Sequence, residues 1–253
     1  MFDLTIDLTT LAFVVGGAFL AGFTTGFAGF GTGLVASGFW FHVLPAGMVP
    51  PLVVLASVAG QFISLITLRR SFNWPRALPF LLGGVIGVPF GVALLAVASP
   101  GVLRASIGVF LILYATFQLF AKWQGKLGGW GGRPVDGLIG VGGGFLGGFS
   151  GLSGPLPLIW LQLRGGPSES QRTIYQPFNL LILTFTSAAM ALAGQVDKGV
   201  LDLALISLPA TIFGAWIGAR VYGATSEAAF QRLVLGLLLL SGAVLLSQVF
   251  GLA

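Results

Sequence analysis

Cysteine is absent, which excludes a disulfide framework, a thiolate metal site and a cysteine nucleophile. Histidine occurs once, at His42, and no pair of carboxylates falls within an apolar run, so general acid–base or metal chemistry lacks its parts. No enzyme, metal or cofactor is expected. Charge of either sign is scarce: 12 Lys and Arg with 7 Asp and Glu make up 8% of 253 residues. A soluble domain carries about a quarter, so most of this surface must face lipid. The start, Met1-Phe2-Asp3-Leu4-Thr5-Ile6-Asp7, has no Lys or Arg before the first apolar run, so no cleavable signal peptide is expected. In a soluble protein a net charge of +5 would suggest nucleic acid. Here basic cytoplasmic loops explain it better, and no nucleic-acid partner is expected.

What the chain does have is apolar residues (56%) and glycine (40 residues), with a mean hydropathy of +0.99. Apolar stretches near the roughly 18–20 residues needed to cross hydrocarbon recur along the whole length. A long segment, Leu8–Leu44, is interrupted by a glycine cluster, and runs follow at about 50–68, 75–98 and 102–121. A polar loop from Lys122 to Pro134 leads into a second glycine-broken segment, Val135–Leu163. Runs at about 173–194, 199–222 and 228–251 complete the chain. This predicts an all-α integral membrane protein in the lipid bilayer.

The halves resemble each other. Gly26-Phe27-Ala28-Gly29-Phe30-Gly31-Thr32-Gly33 matches Gly148-Phe149-Ser150-Gly151-Leu152-Ser153-Gly154-Pro155, 122 positions on. Gly87 and Gly91 match Gly214 and Gly218 at 127, and Arg104 and Gly108 match Arg232 and Gly236 at 128. Slowly growing offsets are what a duplicated unit with small insertions produces. Charge then sets the topology. If each broken segment turns back at its glycines, Arg69, Arg70, Arg76, Lys122, Lys126, Arg133, Arg164, Arg172, Arg220 and Arg232 share one side, and only Arg104 and Lys198 lie opposite. Single crossings would sort the same residues seven to five, a poorer fit to the positive-inside rule. The expectation is two re-entrant hairpins, six full spans and both termini outside. Residues 1–121 form the first membrane repeat, 122–134 a cytoplasmic linker and 135–253 the second repeat. An odd number of crossings per half makes the repeat inverted, as in many secondary transporters.

Several glycines within eight residues, amid helical apolar sequence, predict unwound backbone, which at membrane depth is tolerated only against protein or water. Helix is expected to resume at about Thr32 and Gly154, with Pro155 suited to a first turn. The free N–H groups and positive end of such a half-helix make an anion site. Gly29, Gly31, Gly33, Gly151 and Gly154 supply the backbone, and Thr25, Thr32, Ser150 and Ser153 the hydroxyl donors. The plainer reading is that the glycines permit close helix packing. Gln61 and Asn179 are candidate amide ligands, against a plain role in bonding helices together. His42 is expected at the outer interface beside Trp40, Arg104 at the outer mouth or as an anchor, and Trp74, Trp123, Trp130 and Trp160 mostly at interfaces. No Asp, Glu or Lys falls near the middle of a span. An anion leaving down the electrical gradient needs no such group, because each charge expelled gains about 2.3 kcal/mol per 100 mV.

The two glycine clusters, the short repeat and the loop Leu68–Trp74, reading Leu-Arg-Arg-Ser-Phe-Asn-Trp, resemble the sulfite exporter TauE/SafE family over nearly the whole chain. The resemblance implies export of sulfite, sulfoacetate or other small sulfur-containing organic anions across the bacterial cytoplasmic membrane. It also implies that glycine repeats of the form Gly-x-Gly-Gly-Gly are replaced here by Gly31-Thr32-Gly33 and Ser153-Gly154-Pro155. The expected function is therefore a secondary carrier for a small anion. A small-anion channel and a carrier for a non-sulfur carboxylate are the alternatives, and the sequence is compatible with a homo-oligomer.

Overall fold

Ten α-helices and no strand make up the described residues of the computed structural model, which are 7–68, 72–120, 127–222 and 227–251. The helices are α1 (Leu8–Ala28), α2 (Thr32–Val43), α3 (Val49–Leu68), α4 (Trp74–Val97), α5 (Pro100–Phe120), α6 (Gly132–Ser150), α7 (Pro155–Arg164), α8 (Ser168–Leu192), α9 (Lys198–Val221) and α10 (Glu227–Val249). Arg69, Arg70, Lys122, Trp123 and Lys126 lie outside the described residues. Local chemistry sets several starts. The Asp7 carboxylate accepts from the Thr10 N–H at 2.8 Å, Asn73 from Arg76 at 3.3 Å and Asp197 from Val200 at 2.8 Å, the usual way to satisfy the open N–H groups of a first turn. Pro155 begins α7, where its missing N–H leaves nothing unpaired.

Among the described residues six helices, α1, α3, α4, α5, α9 and α10, are long and apolar enough to cross a membrane. The expected six contained α8 in place of α1, and the difference has a physical reason. α8 has 25 residues but carries Gln176, Asn179 and Thr186, which lower its apolar content. All three side chains are buried in protein, so they need not face lipid. α1 has 21 residues, about 31 Å, which is full length rather than half-depth. Only the returning arms are short: α2 has 12 residues and α7 has 10, about 18 and 15 Å.

Both broken segments fold back on themselves. The Trp40 indole N–H in α2 reaches the Val14 carbonyl of α1 at 3.1 Å, and the Phe13 and Phe39 rings meet at 6.2 Å. In the second segment the Trp160 indole donates to Asp136 at 2.7 Å and Arg164 pairs with the same carboxylate at 2.6 Å. Trp160 is thus buried rather than interfacial, whereas Trp74 and Trp130 are exposed. Trp40 is fully buried as well, and the half-buried His42 bonds through Nε2 to Ser241 at 3.1 Å. The half-buried Arg104 lies on the first turns of α5.

The halves then clasp each other. In α1, a Cβ on Gly22 or Gly26 would overlap the carbonyls of Thr211 and Ala215 in α9. In α9, one on Gly214 or Gly218 would overlap those of Phe19 and Phe23 in return. The seam of α4 with α6 is built the same way, from Gly83, Gly87 and Gly91 against Gly140, Gly144 and Gly148. Exchanging the halves maps α1–α9 onto α6–α4 and leaves the α5–α10 pair as itself. Small residues every fourth position let backbones approach where lipid offers no hydrophobic drive. The opposite face of α4 exposes Leu78, Leu82, Ile86 and Phe90, an apolar stripe suited to hydrocarbon.

Candidate functional site

The breaks are tighter than the glycine clusters suggested, because the clusters do two jobs. Gly26 and Gly148 stay helical and serve the seams just described. Gly29, Gly31 and Gly151 adopt left-handed φ of +80°, +110° and +76°, and these turn the chain. Gly29 and Gly151 both end a helix, 122 positions apart, the offset read from the sequence.

At the first break, freed donors and acceptors are handled separately. Three carbonyls at the end of α1 receive side chains from elsewhere: Phe27 from Arg172 Nη2 at 3.2 Å, Ala28 from the Tyr175 hydroxyl at 3.0 Å, and Gly29 from Gln61 Nε2 at 3.1 Å. Carbonyls at a helix C-terminus repel an anion, so covering them leaves the positive end of α2 as the dominant dipole there. Arg172 is 2% exposed and its guanidinium lies 4.3 Å over the Tyr222 ring. Charge sorting places Arg172 only among the ten basic residues of one side, and nothing in a lone Arg marks it as buried. At the start of α2 the Thr32 N–H donates to Thr25 Oγ1 at 2.8 Å, and the two hydroxyls are in contact. Thr25 is therefore a cap contributed from the preceding helix.

The second break is closed more by backbone. Gly151 N–H returns to Gly147 at 2.8 Å and Leu152 N–H to Leu146 at 3.3 Å, a Schellman end. The Ser150 hydroxyl bonds the Leu146 carbonyl at 2.9 Å, within its own helix. Pro155 and Pro157 both occupy the first turn of α7, so this terminus keeps its dipole but offers fewer N–H donors than α2.

The two tips meet. A Cβ on Gly33 would lie 2.8 Å from the Gly151 carbonyl oxygen and 2.9 Å from Leu152. Between them is a void of about 20 Å³, and Gly31, Thr32, Gly33, Gln61, Gly151, Ser153, Gly154 and Asn179 all line it. Eight sequence-selected residues thus come together, while Thr25, Gly29 and Ser150 stand behind the wall. The Ser153 hydroxyl donates to Asn179 Oδ1 at 3.1 Å, and Gly154 leaves room for the Asn179 amide. Two buried polar atoms on this wall, Ser57 Oγ and Gln61 Oε1, have no hydrogen-bond partner, and neither does the Gln176 amide behind Gly29. Unpaired buried polar atoms are costly, and each calls for an explanation, a bound water or ion among them. Ser57 went unnoticed in the sequence because a single serine in an apolar helix carries no signal.

A void of about 20 Å³ holds one water and no oxyanion. Space opens to one side. A chamber of about 330 Å³ shares Phe30, Gly31 and Leu34 with the void and is lined by Arg172, Gln162 and Tyr175. Through Gln171 it adjoins a vestibule of about 580 Å³ carrying Arg76, Arg133 and Arg164. Asp136 also faces the vestibule, neutralised by Arg164.

The sequence pattern of the family described as "Sulfite exporter TauE/SafE" matches residues 14–245. The chain belongs to the sulfite exporter TauE/SafE family. It is 28% identical over 229 residues, 86% of each chain, to a protein of Cupriavidus necator described as "Probable sulfite/organosulfonate exporter TauE". No solved structure gives a significant match. The TauE/SafE membership identifies a multi-pass membrane transporter, in keeping with the apolar helices and the lipid-suited outer face.

Proposed function

We propose that the chain is a secondary transporter exporting a small anion across the bacterial cytoplasmic membrane, bound between the N-termini of α2 and α7. Sulfite and organosulfonates such as sulfoacetate are the first solutes to consider, since the Cupriavidus necator relative carries that description. The observation that carries the reading is the convergence of both broken helices on one small void walled by Thr32, Ser153, Asn179, Gln61 and Ser57. Half-helix N-termini meeting where the backbone is unwound are how such carriers hold anionic groups.

The halves, 1–121 and 135–253, are an inverted pair joined by a cytoplasmic linker at 122–134, with both termini outside. The vestibule supports this sidedness, because its three arginines belong to the ten basic residues assigned to the cytoplasm. A conformation open toward the cytoplasm and shut at the tips suits loading of an exported solute. The shut void also favours an alternating carrier over a channel, and single-channel steps in a planar bilayer would reverse that preference.

The test is flux from proteoliposomes loaded with sulfite, sulfoacetate, taurine, sulfate, thiosulfate or acetate under an imposed potential. Selective efflux of sulfite or a sulfonate, reversing with the sign of the potential and reduced at least tenfold by Asn179→Leu, is expected. Flux of none of these anions would overturn the substrate class, and acetate alone would favour a carboxylate carrier.

A further inference from the structure

Phe30 is the single residue between Gly29 and Gly31, whose φ values of +80° and +110° place a left-handed joint on each side of it. Helical bonding stops before it, at the Gly29 N–H to Thr25 carbonyl, and resumes after it, at the Val35 N–H to Gly31 carbonyl. Its half-buried ring meets the Tyr175 ring edge-on, with centroids 6.0 Å apart. It is also one of three residues common to the 330 Å³ chamber and the 20 Å³ void. Of the other two, Gly31 has no side chain to move, and Leu34 is 3% exposed within α2. Of the residues common to both spaces, Phe30 alone carries a side chain that lies outside a helix.

We propose that Phe30 is the inner door of the transporter: its ring closes the tip void toward the chamber, and rotation about Gly29 and Gly31 opens it. The purpose of the door rests on the carrier reading, but its existence can be tested without any substrate. An aromatic ring too large for the 20 Å³ void has its way out on the chamber side, so opening joins the two spaces. Ion passage is then limited by what the displaced ring allows past, which makes Phe30 a determinant of the size of anion admitted.

The chain has no cysteine, so one introduced thiol reports cleanly. Ser57→Cys places it in the void, where Ser57 is 2% exposed. Purified protein is treated with the anionic reagent 2-sulfonatoethyl methanethiosulfonate. Slow labelling is expected with Phe30 present, and labelling at least tenfold faster with Phe30→Ala. Phe30→Val, which keeps an apolar side chain, asks the same question if the alanine variant does not fold. Thr186→Cys, fully buried two turns along α8 from Asn179, should stay slow in the same backgrounds. Equal Ser57→Cys rates with and without the ring would overturn the proposal, and so would a parallel rise at Thr186→Cys, which would mean a loosened fold. Failure of the carrier reading would look different: no anion flux, with the labelling contrast intact.

Discussion

Gly144→Ala adds one methyl group at the point where α6 passes α4. The new Cβ would overlap the Gly84 carbonyl oxygen and lie 2.7 Å from its carbonyl carbon and Cα, all backbone atoms that cannot rotate away. Alanine is the better helix former by about 1 kcal/mol. Against that, overpacking a tight contact costs about 1–3 kcal/mol, and a rigid backbone partner places this site in the upper part of that range. The net expectation is a loss of about 1–2 kcal/mol. At roughly 2–4 °C per kcal/mol for a protein of this size, the melting temperature should fall by about 2–8 °C. Gly16→Ala is the matched control: it lies in α1, and its added Cβ would meet nothing within 4 Å. There the helix term acts alone, and melting should rise by roughly 2–4 °C. Thermal unfolding of the purified proteins in one detergent measures both. A Gly144→Ala protein melting at or above the native temperature would refute backbone contact between α4 and α6.

Thr25→Val removes the acceptor for the Thr32 N–H and should cost about 1 kcal/mol, whereas Thr25→Ser should retain most of it; thermal unfolding separates the two. Asp136→Asn strips the charge from a carboxylate held by Trp160 and Arg164 and should lose about 1.5–3 kcal/mol. Adding Arg164→Gln to that variant should cost less than it does alone, and additive losses would mean the pair does not interact. For the inverted arrangement, Arg70→Cys and Lys126→Cys should react with an impermeant maleimide only from the cytoplasmic side, and Lys198→Cys only from outside. The opposite labelling would sink that topology.

Much of the architecture was legible because a membrane protein writes its solvent into its composition. Runs of apolar residues form helices when lipid offers no hydrogen bonds, so five of the six expected spans, α3, α4, α5, α9 and α10, coincide with helices long and apolar enough to cross. Glycine clusters marked the two breaks within a few residues, and Pro155 marked the restart of α7. Legibility ended where two explanations share one residue type. Gly26 and Gly29 are three positions apart, yet one packs against α9 and the other turns the chain. Nothing local separates them, because a seam depends on which helix lies opposite.

By itself, then, the sequence determined an all-helical membrane chain interrupted at two glycine clusters, because hydropathy, scarce charge and glycine spacing act through local physics. The tertiary structure decided which polar groups become a site. Arg172, Tyr175 and Gln61 come from α8 and α3 to cover the carbonyls of α1, and Thr25 caps α2 from the helix before it. It also decided that the tips enclose about one water's volume, with Phe30 lining both that void and the chamber beside it. Those relations join residues up to 147 positions apart, and only the packing of helix on helix brings them together.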